Sequence, residues 1–227
     1  MRESNAFATV GCNGPTTWAT SLPDGADLDL HQLRHHTENA LQCISALVAT
    51  APGLNATAEG RRIAEEVERR IVLATQASNA LFGMTRTPGS LEARVRSLTE
   101  SVAELLADPD QVVRVEVSCT GACPEVLHDV VLRAVQELVG NAVKHGFYAR
   151  LVGRVRVSLA SGACGTKLVV TDDGWGLGRR PGHGQGISFV RALIAPFGGT
   201  LTLRSKDGVA AEVVLPSATP SLHRPPR

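Results

Sequence analysis

The sequence predicts an α+β protein in which an N-terminal helical hairpin is followed by an α/β sandwich. Residues 27–84 contain two long stretches with apolar side chains at helical spacing. Over residues 91–216 the pattern changes, because runs that alternate at period 2 now lie between helical segments. Residues 1–26 and 217–227 show no such periodicity, so we expect a flexible N-terminal segment and a disordered C-terminal tail.

Charge and composition exclude several classes of function. A net charge of +1 over 227 residues gives no field that would draw the protein to nucleic acid or to an anionic membrane. No apolar run approaches the roughly 18 residues that cross a bilayer, and the N-terminus lacks the order of charge and hydropathy of a signal peptide. Five cysteines at irregular positions do not suggest a disulfide framework. We therefore expect a cytoplasmic protein that binds neither nucleic acid nor membrane.

The hairpin is predicted from two apolar stripes whose members lie three and four residues apart. The first helix ends at the break over residues 51–53, and the second spans about residues 57–81. The stripes consist of Leu30, Leu33, Thr37, Ala40, Ile44 and Leu47 in the first helix, and of Ile63, Val67, Ile71, Ala74, Ser78 and Leu81 in the second. The i, i+4 ion pairs predicted on a solvated face of the second helix are Glu65–Arg69 and Glu66–Arg70.

A lone helical hairpin buries too little apolar surface to be stable. A second copy would complete a four-helix bundle, so the sequence predicts a homodimer. The alternative is that the hairpin packs against the rest of its own chain.

The sandwich is predicted from strands at 112–118, 153–161 and 167–172 and from a C-terminal strand hairpin around residues 206–208. A short helix over residues 91–106 precedes the first strand, and two further helices lie among the strands. One begins at Pro124 and ends at Gly146, and the other spans residues 185–197.

Three polar residues of the helix that ends at Gly146 form a candidate site. Glu137, Asn141 and Lys144 follow the i, i+4, i+7 spacing that places side chains on one helical face. A carboxylate, an amide oxygen and an ammonium group in one stripe suit a divalent cation with attached phosphates. Taken alone, the same residues also fit an ordinary polar face with an intrahelical pair.

Two glycine-rich segments follow the strand that ends at Asp172. A carboxylate at a strand end can accept a hydrogen bond from an exocyclic amine, while adjacent glycines let the backbone pass close to a flat ring. A glycine triplet before a helix lets backbone N–H groups face a phosphate. The first segment holds Asp172, Gly174 and Gly176, and the second holds Gly182, Gly184 and Gly186.

Together these motifs resemble the GHKL, or Bergerat-type, ATP-binding domain shared by histidine kinases, gyrase, Hsp90 and MutL. Glu137-x-x-x-Asn141 resembles its N box, and the two glycine segments resemble its first and second glycine boxes. The resemblance covers residues 124–215. It implies that ATP and Mg²⁺ are cofactors of an ATP-binding catalytic domain over residues 91–216.

The resemblance also implies a role for each residue of the boxes. Asn141 would coordinate Mg²⁺, and Glu137 would position or deprotonate the nucleophile. Lys144 would contact phosphate, and Asp172 would receive the adenine amino group. The glycines that would shape the phosphate lid are Gly182, Gly184 and Gly186.

The segment LRHHTENALQ in the first helix resembles the phosphoacceptor helix of a histidine-kinase subfamily with the motif His-Arg-x-x-Asn-x-Leu. In this register His35 is the phosphoacceptor, and His36 stands where the subfamily has arginine. Asn39, one turn after His35, would hold a phosphoryl oxygen or a water. An exposed imidazole is largely neutral at pH 7, so it can attack a phosphoryl group. Residues 27–84 would thus be a dimerisation and histidine phosphotransfer domain.

Three functions fit these motifs. The leading one is a cytoplasmic, homodimeric histidine kinase that phosphorylates His35 from ATP–Mg²⁺ and passes the group to an aspartate of a response regulator receiver domain. The second is a histidine phosphotransferase that relays phosphate between regulators without ATP, and the short stretch LGRRP between the glycine boxes favours it. The third is an anti-sigma factor with serine-kinase activity, which would leave the helical hairpin unexplained.

Overall fold

The structure, a computed structural model, describes residues 26–51, 53–54, 56–82, 89–177 and 185–217. The side chains of residues 26–36, 38 and 185 lie outside this description. The two predicted flexible ends therefore fall outside the described residues, apart from Ala26 and Ser217.

The described residues contain five α-helices and five strands, together with two 3-10 helices and one π turn. The helices are α1 (Ala26–Thr50), α2 (Ala58–Phe82), α3 (Leu91–Leu106), α4 (His128–Asn141) and α5 (Gln185–Ile194). The strands are β1 (Val112–Thr120), β2 (Val152–Gly162), β3 (Gly165–Asp172), β4 (Thr200–Ser205) and β5 (Val209–Pro216). Of the helices described, none is both long enough and apolar enough to cross a membrane.

The strands form one mixed sheet in the order β1-β2-β3-β5-β4. β1 runs parallel to β2, with Val112 opposite Val152, and the other neighbouring pairs are antiparallel. Helices α3, α4 and α5 contact the sheet, and alternate residues of β2 are buried, among them Val155 and Val157. The predicted α+β class is confirmed by this helix-on-sheet arrangement.

A single apolar core joins α2 to the sandwich. Val95 and Leu98 of α3 are fully buried between α2 on one side and α4 on the other. The core also takes in the C-terminal part of α2 through Ala77, Ala80 and Leu81. The alternative that the hairpin packs against the rest of its own chain therefore holds for this part of α2.

The predicted apolar stripe of α2 is largely wrong as a description of what this chain buries. Ile63 is 51% exposed, and of the six predicted members only Leu81 is buried. The buried residues of α2 are Gly60, Ala64, Leu73, Ala77, Ala80 and Leu81. The reason is tertiary, because α3 packs against a different face of α2 from the one that periodicity assigns to a bundle.

The charged residues of α2 also differ in part from the prediction. The Glu66–Arg70 pair forms, with Arg70 Nε 2.6 Å from a Glu66 carboxylate oxygen. Arg69 does not pair with Glu65; it binds Glu66 at 2.9 Å and Glu104 of α3 at 2.6 Å. The pair of arginines thus helps to hold α2 against α3, a role that a solvated face would not have.

Arg94 of α3 makes the second polar link between these helices. Its guanidinium donates hydrogen bonds to the backbone carbonyls of Ala80 and Leu81, each at 2.9 Å. These carbonyls belong to the last turn of α2, where carbonyl groups have no partner within the helix. The side chain of Arg94 is partly buried, and this burial lowers the pKa of its guanidinium from the ordinary value.

We expect Arg94→Ala to lower the free energy of unfolding by about 2 kcal/mol, because two half-buried carbonyls lose a charged donor. Urea denaturation followed by circular dichroism measures this change. Arg62→Ala is the matched control, since Arg62 is an exposed arginine of α2, and its effect should stay within about 0.5 kcal/mol. Equal effects of the two substitutions would contradict the assignment.

Candidate functional site

Helix α4 places Glu137 and Asn141 one turn apart on one face. Its opposite face is buried through residues that include Val135 and Leu138, so the half-buried polar pair has a fixed orientation. After Asn141 the helix continues as a π turn over residues 142–146. A π turn is wider than an α turn, and Lys144 lies within it with an exposed side chain.

The first turn of α5 lies directly against this polar pair. A Cβ atom added to Gly186 would lie 2.6 Å from Oε2 of Glu137 and 3.2 Å from Nδ2 of Asn141. The structure therefore brings Glu137, Asn141 and Gly186 together. Any side chain at position 186 would fill the space between them. Gly182 and Gly184 lie outside the described residues.

The amide of Asn141 fits a phosphate and cation site. Its Nδ2 atom is buried and has no hydrogen-bond partner among the described residues. A buried polar atom without a partner is unusual in a folded protein and calls for an explanation. A bound group with oxygen atoms would satisfy Nδ2, while the amide oxygen is a hard ligand of the kind that Mg²⁺ prefers.

Asp172 ends β3 and presents one oxygen atom for recognition. Its Oδ1 accepts hydrogen bonds from the backbone N–H of Gly174 at 2.8 Å and of Val209 at 3.3 Å. Its Oδ2 has no hydrogen-bond partner within the described part of the chain. Burial raises the pKa of the Asp172 carboxyl above its ordinary value, and the two backbone N–H groups act in the opposite direction.

The end of the π turn packs against the first glycine segment with no room for side chains. A Cβ atom on Gly174 would lie 2.5 Å from both Cα and the carbonyl oxygen of Gly146. A Cβ atom on Gly146 would lie 3.0 Å from Oδ1 of Asp172. Gly176 has a φ of 77°, in the left-handed region that glycine adopts without strain. The glycine spacing is therefore a consequence of close backbone packing.

Further contacts tie the loop after the π turn to the same segment. The backbone N–H of Trp175 donates to the Gly146 carbonyl at 3.1 Å, and its indole N–H donates to the Tyr148 carbonyl at 2.9 Å. The guanidinium of Arg150 binds the Asp173 carbonyl and lies 5.9 Å from the centre of the Trp175 ring. As a result, the end of the α4 helix and the Asp172 loop form one unit.

Several residues of this site are absent from the sequence-based prediction. Val209 supplies an N–H group to Asp172, and Ser205 contacts the first glycine segment, both from the strand hairpin β4–β5. The sequence indicated only a turn at residues 206–208. The dipeptide Asp207-Gly208 was the available sequence signal, because Asp-Gly is typical of tight turns. In the structure the two residues have φ angles of 53° and 124°, and the turn they form reaches Asp172.

His35 and Asn39 lie on a different element from these groups. Both are in α1, which packs against α2 in the hairpin. Asn39 is exposed, and the side chain of His35 lies outside the described residues. The predicted site residues therefore divide into a cleft built on α4, β3 and α5 and a helix of the hairpin.

A family model matches the part of the chain that contains the cleft. Residues 127–219 match the family model described as "Histidine kinase-, DNA gyrase B-, and HSP90-like ATPase". The matched segment contains both polar residues of α4, Asp172 and every predicted glycine. The resemblance predicted from the sequence is therefore confirmed over this segment.

The chain is also similar to characterised histidine kinases. It is 26% identical over 196 residues to the sensor histidine kinase PdtaS of Mycobacterium tuberculosis, which covers 83% of this chain and 39% of the relative. The chain thus spans less than half the length of the curated relatives it matches.

Solved structures show the same fold. The histidine kinase domain of the blue-light activated histidine kinase EL346 from Erythrobacter litoralis aligns with a TM-score of 0.52 at 18% identity. The alignment covers 84% of this chain and 91% of that domain. A longer structure of the same kinase aligns with a TM-score of 0.54 at 17% identity, covering 88% of this chain and 62% of that chain.

We expect Gly174→Ala to lower the free energy of unfolding by about 1–3 kcal/mol, because its methyl group would overlap backbone atoms of Gly146 that have little freedom to move. Thermal unfolding measures the change. Gly162→Ala is the control, since a Cβ atom there meets nothing within 4 Å. A Gly174→Ala variant as stable as the Gly162→Ala variant would show that the two backbones do not pack this closely.

Proposed function

We propose that this chain is a protein-histidine kinase. The starting point is the match of residues 127–219 to the histidine kinase-, DNA gyrase B-, and HSP90-like ATPase family. The ATPase domain binds ATP, and the γ-phosphoryl group passes to His35 and then to an aspartate of a response regulator receiver domain. One observation carries the proposal: α4 and its π turn contribute to both ends of the cleft. Glu137 and Asn141 lie at one end, and Gly146 packs against the Asp172 loop at the other. The receiver domain and a cytoplasmic location remain predictions.

The Asp172 end of the cleft suits an adenine base. With Oδ1 held by two backbone N–H groups, Oδ2 is left to accept a hydrogen bond from an exocyclic amine. A guanine carbonyl at the same position would face a carboxylate oxygen with no proton between them. Leaving such a buried acceptor unpaired disfavours guanine. Because Gly174 and Gly176 have no side chains, the backbone there can pass close to the flat ring of a base.

The opposite end of the cleft suits the phosphates. The Nδ2 atom of Asn141, which has no hydrogen-bond partner among the described residues, lies beside Gly186, near the N-terminus of α5, where backbone N–H groups favour negative charge. Mg²⁺ held through the Asn141 amide oxygen would neutralise charge on the phosphates. Glu137 lies beside the same point and would orient the incoming imidazole or accept its proton.

The transfer to His35 needs no elaborate activation. A neutral imidazole nitrogen attacks the γ-phosphorus, an N–P bond forms, and the bond from phosphorus to the β-phosphate oxygen breaks, so that ADP leaves. Positioning and charge neutralisation supply most of the acceleration in such reactions. Asn39, one turn after His35 in α1, would donate to a phosphoryl oxygen.

The apolar face that α1 and α2 leave exposed supports a homodimer. Leu47 is 69% exposed and Ile63 is 51% exposed, and Ile44 is exposed as well. Three large apolar side chains on two packed helices are expected to be covered in a stable protein. A second hairpin would cover them and complete a four-helix bundle.

A histidine phosphotransferase that never uses ATP is the second candidate. It is favoured by the short connection between the glycine boxes, LGRRP, at residues 177–181. In that case His35 would receive phosphate from one regulator and return it to another.

We expect wild-type protein incubated with γ-labelled ATP and Mg²⁺ to acquire an acid-labile, base-stable label on His35. His35→Ala removes the acceptor, and Asn141→Ala removes the amide at the phosphate end, so neither variant should be labelled. His36→Ala is the matched control, because it removes the neighbouring imidazole and should still be labelled. An unlabelled wild type that accepts phosphate on His35 from a phosphorylated receiver domain would favour the relay instead.

The exposed face is tested by introducing a charge into it. We expect Ile63→Glu to shift the protein from dimer to monomer in analytical ultracentrifugation, because a buried carboxylate without a partner is costly. Arg62→Glu introduces the same side chain at the adjacent exposed position and should leave the dimer intact. A wild type that is monomeric at micromolar concentration would refute the bundle.

A further inference from the structure

Ser205 connects the two loops that frame Asp172. Its Oγ accepts a hydrogen bond from the backbone N–H of Leu177 at 3.0 Å and donates one to the carbonyl of Gly208 at 3.2 Å. Leu177 directly follows the first glycine box, and Gly208 belongs to the turn between β4 and β5. One hydroxyl group thus joins a segment that follows β3 to a turn thirty residues further along.

The surrounding backbone packs around this hydroxyl. A Cβ atom on Gly176 would lie 2.5 Å from Ser205 Oγ, so the glycine box passes directly over it. A Cβ atom on Gly208 would lie 1.9 Å from the backbone carbonyl oxygen of Asp172, so the turn rests on the end of β3. Displacing either loop would therefore displace the other and the backbone of Asp172.

The same turn controls the Asp172 carboxylate itself. Val209 follows Gly208 directly, and its N–H donates to Oδ1 of Asp172. That hydrogen bond is one of the two that occupy Oδ1 and leave Oδ2 to read the base. The position of the turn, which Ser205 fixes through Gly208, thus decides the orientation of the carboxylate.

We propose that Ser205 is a positioning residue that sets the preference of this site for adenine. The inference rests on the proposed function, since it assigns a role within the nucleotide site. Ser205 does not touch the nucleotide; it holds the Leu177 backbone and the Gly208 turn so that Asp172 presents Oδ2 at a fixed angle. A site that loses this bridge keeps its phosphate contacts and loses discrimination between an exocyclic amine and a carbonyl.

The test compares ATP and GTP binding by the full chain, measured by isothermal titration calorimetry with Mg²⁺. Ser205→Ala should weaken ATP binding about five- to tenfold, the cost of losing about one hydrogen bond, and leave GTP binding nearly unchanged. The ATP-over-GTP preference should fall by the same factor. In turnover, KM for ATP should rise while kcat stays within about twofold. Ser205→Thr retains the hydroxyl and should restore the preference.

Ser217→Ala is the matched control. Ser217 is also an exposed serine whose hydroxyl donates to a backbone carbonyl, that of Ala163 at 2.8 Å, but it lies beyond the far end of β5. It should leave the nucleotide preference unchanged. If Ser205→Ala does not fold, Ser205→Cys gives the same comparison, since it keeps the volume and weakens both hydrogen bonds.

Two outcomes would overturn the inference in different ways. A Ser205→Ala variant that loses thermal stability but keeps the ATP-over-GTP preference of the wild type would show a purely structural role, and the kinase proposal would stand. A wild type that binds neither nucleotide would overturn the inference and the proposed ATP site together.

Discussion

The nucleotide site depends on the contact between Gly146 and Gly174. These two backbones approach so closely that a methyl group on either residue would meet atoms of the opposite loop at 3.0 Å or less. Gly146 ends the helix that carries Glu137 and Asn141, and Gly174 lies two residues after Asp172. This contact therefore joins the end of the π turn that follows Glu137 and Asn141 to the loop that follows Asp172.

A common apolar core joins the sandwich to the helical hairpin. Helix α3 is fully buried at Val95 and Leu98 between α2 and α4, and Arg94 and Arg69 add polar links on its edges. The proposed transfer to His35 would require the cleft and α1 to approach each other. The α2–α3 interface joins the sandwich to the hairpin that contains α1, so it would set the position of the proposed acceptor helix relative to the cleft.

Some features of the site could be predicted from the sequence and others could not. Spacing alone predicted that Glu137 and Asn141 share a helical face, and the order of the glycine segments predicted the family. Spacing gave no indication of the π turn that follows Asn141 and contains Lys144, because a π turn has no reliable sequence signal. Periodicity identified an apolar face on α2 without saying which partner covers it, and Ile63 of that face is exposed in the single chain.

What the sequence determined by itself is local: the type of each element, the polar residues at helix and strand ends, and the glycines that a close backbone approach requires. These depend on side-chain periodicity and backbone freedom within a few residues. Only the tertiary structure decided that Ser205 and Val209 converge on Asp172, that Gly186 meets Glu137, and that α2 turns its buried face to α3. Such contacts join residues far apart in the chain, and their geometry is set by packing of the whole core.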